Sequence, residues 1–388
     1  MKYEKSDRCS QERSKGQRLT VLIAILIFST ILGFMHLYPI GGWMTPPIDA
    51  FCHFGGLESA FTVIFSGKMI QRIAWSSFAL LLATLIVAFI FRRSFCGNIC
   101  ALGTLQELCA KLGKKIFGKL YQVHSKIDNP SRFLKYFVLV IFVILTWRAG
   151  KLVMRPYDPW AAYHHLMAAD LFRDFTIGFI VLMGSLIGSL AYDRFFCKYL
   201  CPMGGFLALI YRLGWFRVKR DEKTCIHCKA CNEACPVNIS VESGIDVQSS
   251  ECLNCHECVN SCPVKNTLFV SGPQNTKIKP SWVLWITLAI FVAVVAIASF
   301  SGGFEWKMQK MSERKIQTGL FNPDHITGRD TFSEVAEAAK IPKELFLKRF
   351  RITDEQFTKP IREAAHKPHA GFETEDVRNF VREHLKSK

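Results

Sequence analysis

The sequence predicts a mainly α-helical fold: a polytopic membrane bundle of about five spans with an internal parallel repeat, an inserted α+β cysteine-rich domain, and a small C-terminal helical domain. Three observations carry this reading. Apolar residues make up 50% of the chain and gather in long runs, which a large soluble core does not require. Eight of the 15 cysteines fall in two dense runs between residues 225 and 262. The last stretch of the chain has no cysteine and carries helix-capping signals.

The apolar runs are Leu19 to Tyr38, Ile73 to Phe91, Phe133 to Trp147, Phe175 to Tyr192 and Trp282 to Phe300. Each approaches the roughly 20 residues that cross hydrocarbon. The third is the least regular, because Arg148 and Lys151 lie near its end, from where their stems can reach the interface. Basic residues set the orientation. Lys2, Lys5, Arg8, Arg13, Lys15 and Arg18 precede the first run, and Arg92, Arg93, Lys111, Lys114, Lys115, Lys119, Lys126 and Arg132 separate the second from the third. Arg194, Lys198, Arg217, Lys219 and Arg220 follow the fourth. The other connections are poorer, with Lys68 and Arg72 in one and Lys151, Arg155 and Arg173 in the other.

Positive-inside logic then places the N-terminus and the cysteine runs in the cytoplasm and the C-terminus outside. Lys307, Lys310, Arg314 and Lys315 run against this, but upstream charge usually dominates. Much of the net charge of +17 is juxtamembrane, and no nucleic-acid motif accompanies it, so nucleic acid is not an expected partner. The basic N-terminal segment and its apolar run lack a small-residue cleavage site and read as a retained anchor. The expected domains are a cytoplasmic N-terminus (1–18), a four-span membrane domain (19–214), the cysteine-rich domain (215–275), a fifth span (282–300) and the C-terminal domain (304–388).

Cys225, Cys228, Cys231 and Cys235 form C-x2-C-x2-C-x3-C followed by Pro236; Cys252, Cys255, Cys258 and Cys262 repeat it before Pro263. This is the spacing of bacterial two-cluster ferredoxins, in which three cysteines of one run and the last of the other bind each [4Fe–4S] cube. One cluster is therefore assigned to Cys225, Cys228, Cys231 and Cys262, and the other to Cys252, Cys255, Cys258 and Cys235. Structural zinc sites use separated cysteine pairs or histidine partners, and a reducing cytosol disfavours disulfides. His227 and His256 fall inside the runs and read as loop residues, since four thiolates per cluster are available. Cys52 is the one cysteine expected clearly outside, and Cys9 and Cys109 are incidental thiols.

A second pattern lies in the membrane part. Arg93-Ser-Phe-Cys96-Gly-Asn-Ile-Cys100-Ala-Leu-Gly103 closes the second apolar run, and Arg194-Phe-Phe-Cys197-Lys-Tyr-Leu-Cys201-Pro-Met-Gly204 closes the fourth. Both read R-x-F-C-x3-C-x2-G, and Pro47-Ile-Asp49 and Pro156-Tyr-Asp158 echo one another upstream. Both copies run the same way, as in parallel repeats about the membrane normal. If the backbone is helical there, each pair shares one helix face. Cys96, Cys100, Cys197 and Cys201 could then form a four-thiolate site for iron, a [2Fe–2S] centre or copper. Packing, reversible disulfides or a role in assembly are the alternatives. Ala101 stands where the other copy has Pro202.

With these residues in place the chain resembles the membrane-bound polyferredoxins of the quinol dehydrogenase type, which serve periplasmic nitrate reduction, and related electron transport proteins. The resemblance rests on Phe95-Cys96-Gly-Asn-Ile-Cys100 with Gly103-Thr-Leu-Gln-Glu107, on Phe196-Cys197-Lys-Tyr-Leu-Cys201-Pro202, and on the two ferredoxin runs, and extends from about residue 19 to 300. Phe54-Gly55-Gly56-Leu57-Glu58 is similar to an outer-loop motif of that family. The resemblance implies electron transfer between the quinone pool and another redox protein or reductase subunit. A quinone needs an apolar slot with a few proton-exchanging groups; outer-face candidates are His36, Asp49, His53, Glu58, Asp158, His164 and His165, although polar side chains are ordinary at an interface. The alternatives are a copper reductase or metallo-oxidase assembly factor acting through the C-x3-C pairs, and a redox sensor signalling through its tail.

In the tail, Thr331-Phe-Ser-Glu334 and Thr353-Asp-Glu-Gln356 read as capping boxes. Pro342 suits the first turn of a helix carrying Leu345 and Phe346, and Thr374 precedes Val377, Phe380, Val381 and Leu385 at helical spacing. No catalytic constellation appears there.

Overall fold

The computed structural model describes residues 2–38, 45–46, 48–66, 75–121, 123–149, 152–168, 171–307, 323, 326, 328, 330–365, 372 and 374–386. Pro47, Lys68, Arg72, Lys151, Lys310, Arg314 and Lys315, which entered the repeat and charge readings, lie outside them. The chain divides into two compact units, Met1–Trp306 and Lys307–Lys388.

The first unit is mostly helical. Its membrane part comprises α1 (Lys2–Leu37), α2 (His53–Ser66), α3 (Trp75–Phe91), α4 (Ser94–Asn98), α5 (Ala101–Phe117), α6 (Ser125–Ser131), α7 (Leu134–Ala149), α8 (Pro159–His164), α9 (Leu171–Asp174), α10 (Thr176–Ala191), α11 (Phe195–Tyr199) and α12 (Pro202–Ile210). The cysteine-rich region holds α13 (Ala230–Glu233) and α14 (Glu257–Asn260), and α15 (Pro280–Phe300) follows it. Gln11–Leu37, Lys126–Ala149 and Pro280–Phe300 are long and apolar enough to cross a membrane. Their outward residues, among them Ile27, Phe28, Val140 and Ile297, are exposed large hydrophobics suited to lipid.

The second and fourth expected spans are shorter apolar helices, α3 with 17 residues and α10 with 16. At about 1.5 Å per residue these reach roughly 25 Å, short of a hydrocarbon layer of about 30 Å. Both end on backbone that leaves the helix: Arg92 is left-handed at φ 58° and Tyr192 is extended at φ −129°. The structure also departs from the expectation of an outer loop at Phe54–Glu58. These residues are helical, within α2, which packs against α3 and α7.

A three-stranded antiparallel sheet frames the cysteine runs: β1 (Arg217–Arg220), β2 (Leu268–Ser271) and β3 (Lys277–Ile278), in that order. Arg217 pairs with Ser271 and Arg220 with Leu268, so the strands flank the loops that carry the cysteines. In the second unit, Phe332–Ala339, Lys343–Phe350, Asp354–Phe357 and Thr374–Lys386 are helices. Thr331 and Thr353 close the capping boxes with Glu334 and Gln356; such caps contribute about 1 kcal/mol each. Pro342 stands at the cap of its helix, one residue before the expected first turn. Phe332, Phe346, Phe350, Phe357 and Phe372 pack together at the centre of this unit.

Candidate electron-transfer site

In both cysteine runs, tight turns are made by left-handed residues that are not glycine. His227 and Lys229 (φ 54° and 59°) follow Cys225 and Cys228, while Asn254 and His256 (φ 50° and 63°) follow Cys252 and Cys255. Such backbone is uncommon for these residues and clusters at functional sites. It turns the main-chain N–H groups of His227, Asn254 and Glu257 toward the sulfurs of Cys225, Cys252 and Cys255.

Two cavities lie beside these turns. One is lined by Cys235, Cys252, Cys255 and Cys258 with Val218, Ile239, Val247 and Leu253; the other by Cys225, Cys228, Cys231 and Cys262 with Arg220 and Glu242. Each thus joins three cysteines of one run to the last of the other. Each has about 340 Å3 of free space including its mouth. Among the described residues no three His, Cys, Asp or Glu converge on a single-ion position. Four thiols on the walls of a cavity suit a polynuclear cluster, whose sulfur ligands stand around a cube. The thiols of the first cavity are buried or half-buried, whereas Cys228 of the second is exposed. His256 is buried, and that burial, followed by the nearby Arg18, pulls it down to about 3, so it adds no charge at neutral pH.

The C-x3-C pairs do not sit on continuous helices. α4 ends at Asn98, and Cys100 caps α5, its sulfur accepting from the Gly103 N–H at 3.4 Å. Cys201 caps α12 in the same way, accepting from Gly204 at 3.3 Å. The N–H groups of Cys100 and Cys201 reach back to the Phe95 and Phe196 oxygens, so the two segments share one geometry. The four thiols share one electrostatic neighbourhood. Arg194 donates to the Cys96 oxygen at 2.6 Å, and the Arg93 guanidinium lies over Gly204, so each arginine serves the other segment. Gln106 donates to the Cys197 sulfur at 3.3 Å and accepts from the Phe196 N–H at 2.9 Å.

Buried charges clasp the cysteine-rich region to the helices. Arg18 bonds the Gly97 oxygen at 3.0 Å, Glu107 at 2.6 Å and Glu257 at 2.8 Å. Arg194 meets Glu107 at 2.9 Å. Glu251 accepts from Lys135 and lies 3.4 Å from Arg93, and Asn254 donates to the Phe91 oxygen at 2.9 Å. Burial pushes the Glu107 carboxyl up, but Arg18 and Arg194 outweigh it and hold the group well below the usual carboxylate range. At Gly97 a Cβ would stand 2.6 Å from the Leu253 oxygen and 3.0 Å from the Cys255 Cβ. Only glycine permits that approach.

The outer-face candidates separate. Asp158 caps α8, accepting from the Trp160 N–H at 3.0 Å. Glu58 is buried and accepts from Thr146 at 2.7 Å. The His36 and His165 rings are 6.3 Å apart, and His164 lies against Gly33 of α1 and Trp160. The Asp49 side chain lies outside the described residues. The His53 ring packs 4.7 Å from Phe95, the neighbour of Cys96, and Cys52 packs on the same core as Cys96. α2 begins beside the first turns of α3, where Gly56 lies against the Ser77 oxygen. Gln106, Glu107, Lys135 and Glu251 were given no role by sequence, and Arg18 only one in orientation. Gln106 and Glu107 did stand in the Gly103–Glu107 motif, which was the available signal.

Comparison with known proteins agrees with this geometry. A family model described as a 4Fe-4S binding domain matches twice, over residues 73–119 and 175–221, and each match contains one C-x3-C pair. A 4Fe-4S dicluster domain matches residues 217–270, which hold both dense cysteine runs. The protein named "Putative electron transport protein YccM" of Escherichia coli (strain K12) is 32% identical over 278 residues, 69% of this chain and 78% of that protein. Uncharacterized protein MJ0749 of Methanocaldococcus jannaschii is 32% identical over 164 residues, 42% of this chain and 58% of its own length. Ferredoxin-type protein NapH of Haemophilus influenzae is 29% identical over 153 residues, 39% of this chain and 50% of its own. No solved structure matches.

Proposed function

Because the chain belongs to the polyferredoxin-type family of 4Fe-4S electron-transport proteins, we propose that it passes electrons between the quinone pool and a redox partner through two [4Fe–4S] clusters. Cys252, Cys255, Cys258 and Cys235 hold the cluster nearer the membrane, and Cys225, Cys228, Cys231 and Cys262 hold the farther one. When bound, such clusters supply one-electron transfer. The protein supplies the rest: thiolates that bind, main-chain N–H groups that meet the sulfurs, and apolar walls that exclude water.

The observation that carries this reading is the approach of Gly97 to Leu253 and Cys255, which joins the first C-x3-C segment to the inner cavity. Cys96, Cys100, Cys197 and Cys201 then form the stop between a quinone bound among the helices and the inner cluster. Soft thiolates of this kind suit iron, a [2Fe–2S] centre or copper. Glu58, His164 and His165 remain the proton-exchanging candidates toward the outer side, with Asp49; Asp158 is retained as a capping residue that orients α8.

The test is purification of the full chain without oxygen. Expected are about eight iron and about eight sulfide from the two ferredoxin runs, before any further centre, and rapid reduction of the clusters by a quinol analogue. Zinc without sulfide would overturn the ligand assignment. Intact clusters that a quinol analogue leaves oxidised would overturn the link to quinone.

In the same reading α3 and α10 complete five spans in the bacterial inner membrane, with the ferredoxin region cytoplasmic and the C-terminal domain outside. Reporter fusions after Ser271 are expected to behave as cytoplasmic and fusions after Gly319 as extracytoplasmic. Both reporting one side would remove α15 as a span.

A further inference from the structure

We propose that Arg92 and Tyr211 act as a pair that raises the reduction potential of the cluster held by Cys252, Cys255, Cys258 and Cys235, without acting on the other cluster. Arg92 is 6% exposed and left-handed at φ 58°, a backbone state that persists at a non-glycine residue only where its surroundings hold it. Its Nε donates to the Gly214 oxygen at 3.2 Å, and its Nη1 to the Tyr211 hydroxyl at 2.6 Å and the Val247 oxygen at 3.2 Å. The guanidinium also lies 4.3 Å from the centre of the Tyr211 ring. All of these partners are neutral, whereas Arg18, Arg93 and Arg194 each lie on a carboxylate.

Tyr211 is 2% exposed. Its hydroxyl donates its proton to the Val247 oxygen at 3.1 Å, and Val247 and Cys252 line the same inner cavity. The pair therefore places one buried positive charge, held by the Tyr211 hydroxyl, at the wall of the cavity that Cys252 lines. An electron entering a thiolate-bound cluster adds negative charge. A nearby cation stabilises that charge, and water screens it little in a buried site. The residue at the corresponding place before the second C-x3-C pair is Asp193, so the arrangement belongs to the segment that receives the cysteine-rich loop. The outer cavity has a cation of its own, Arg220, which lies beside Cys225 but is paired with the exposed Glu222 at 3.2 Å.

The experiment is a redox titration of the full-length protein in detergent, followed by electron paramagnetic resonance, on Tyr211→Phe, Arg92→Gln and Arg92→Lys. Tyr211→Phe and Arg92→Gln are each expected to lower one of the two cluster potentials and leave the other in place. Arg92→Lys, which keeps the charge, is expected to return most of the shift. Normal iron and sulfide with two unshifted potentials in Tyr211→Phe, or both potentials moving together, would overturn the proposal. Tyr211→Phe decides alone if Arg92→Gln does not fold, because it removes a single oxygen. The inference rests on the assignment of Cys252 to a cluster. Wild-type protein lacking the two cluster signals refutes that assignment, whereas intact clusters with unshifted potentials refute only the role of the pair.

Discussion

Replacing Cys197 and Cys201 together by serine is expected to slow quinol-driven reduction of the ferredoxin clusters by about 100-fold or more, the scale on which residues of a metal site act. Iron and sulfide of the ferredoxin runs are expected to stay at wild-type levels. The substitution is mild for the fold. Serine is a good helix cap and can accept from the Gly204 N–H as the Cys201 sulfur does. At position 197 a hydroxyl can still accept from Gln106. What disappears is the soft sulfur donor. Electrons crossing a hydrocarbon layer of roughly 30 Å need an intermediate stop, and these thiols are the available material for one. Stopped-flow reduction by a quinol analogue reads the effect. A normal rate in the double variant would assign the pairs to packing or assembly.

The second large effect is expected at Glu107. Its carboxylate serves Arg18 and Arg194 at once, and all three side chains are buried. Glu107→Ala leaves Arg194 in a dry interface without its carboxylate and Arg18 with Glu257 alone, and removing one member of a buried ion pair costs about 3–5 kcal/mol. Unfolding of the solubilised protein is expected to show that loss, and a change within about 0.5 kcal/mol of wild type would refute it. The acid side of the stability profile gives an independent reading. Burial raises the Glu107 carboxyl, but the two arginines lower it further, so its folded value lies below the unfolded value of about 4.3. Its contribution is therefore complete above about pH 4.3 and is lost as pH falls through the depressed folded value. Glu107→Gln, which cannot ionise, is expected to flatten that slope.

Arg18 shows why such contacts escape a sequence reading. It stands at the border of an apolar run and counts there as one more positive-inside residue. Its carboxylate partners are 89 and 239 residues away. Likewise Lys135 opens an apolar helix, and its partner Glu251 lies 116 residues on. No local period connects these positions. The packing of His53 on Phe95 is equally non-local, since it joins the start of α2 to α4. The C-x3-C pairs were legible as a spacing but not as a backbone, since the break at Ile99 and the caps at Cys100 and Cys201 depend on packing.

By itself the sequence determined the cluster chemistry, the apolar runs and the capped helices of the tail. Each of these is encoded within a few turns of chain: cysteine spacing makes a ligand loop, run length makes a helix for lipid, and Thr331 with Glu334 makes a cap. Tertiary structure alone decided that Gly97 meets Cys255, that Glu107 joins two arginines and that Arg92 and Tyr211 meet on Val247 at the wall of the inner cavity. Those contacts join segments distant in sequence, and a buried charge or a missing Cβ acquires meaning only from the atoms that packing brings against it.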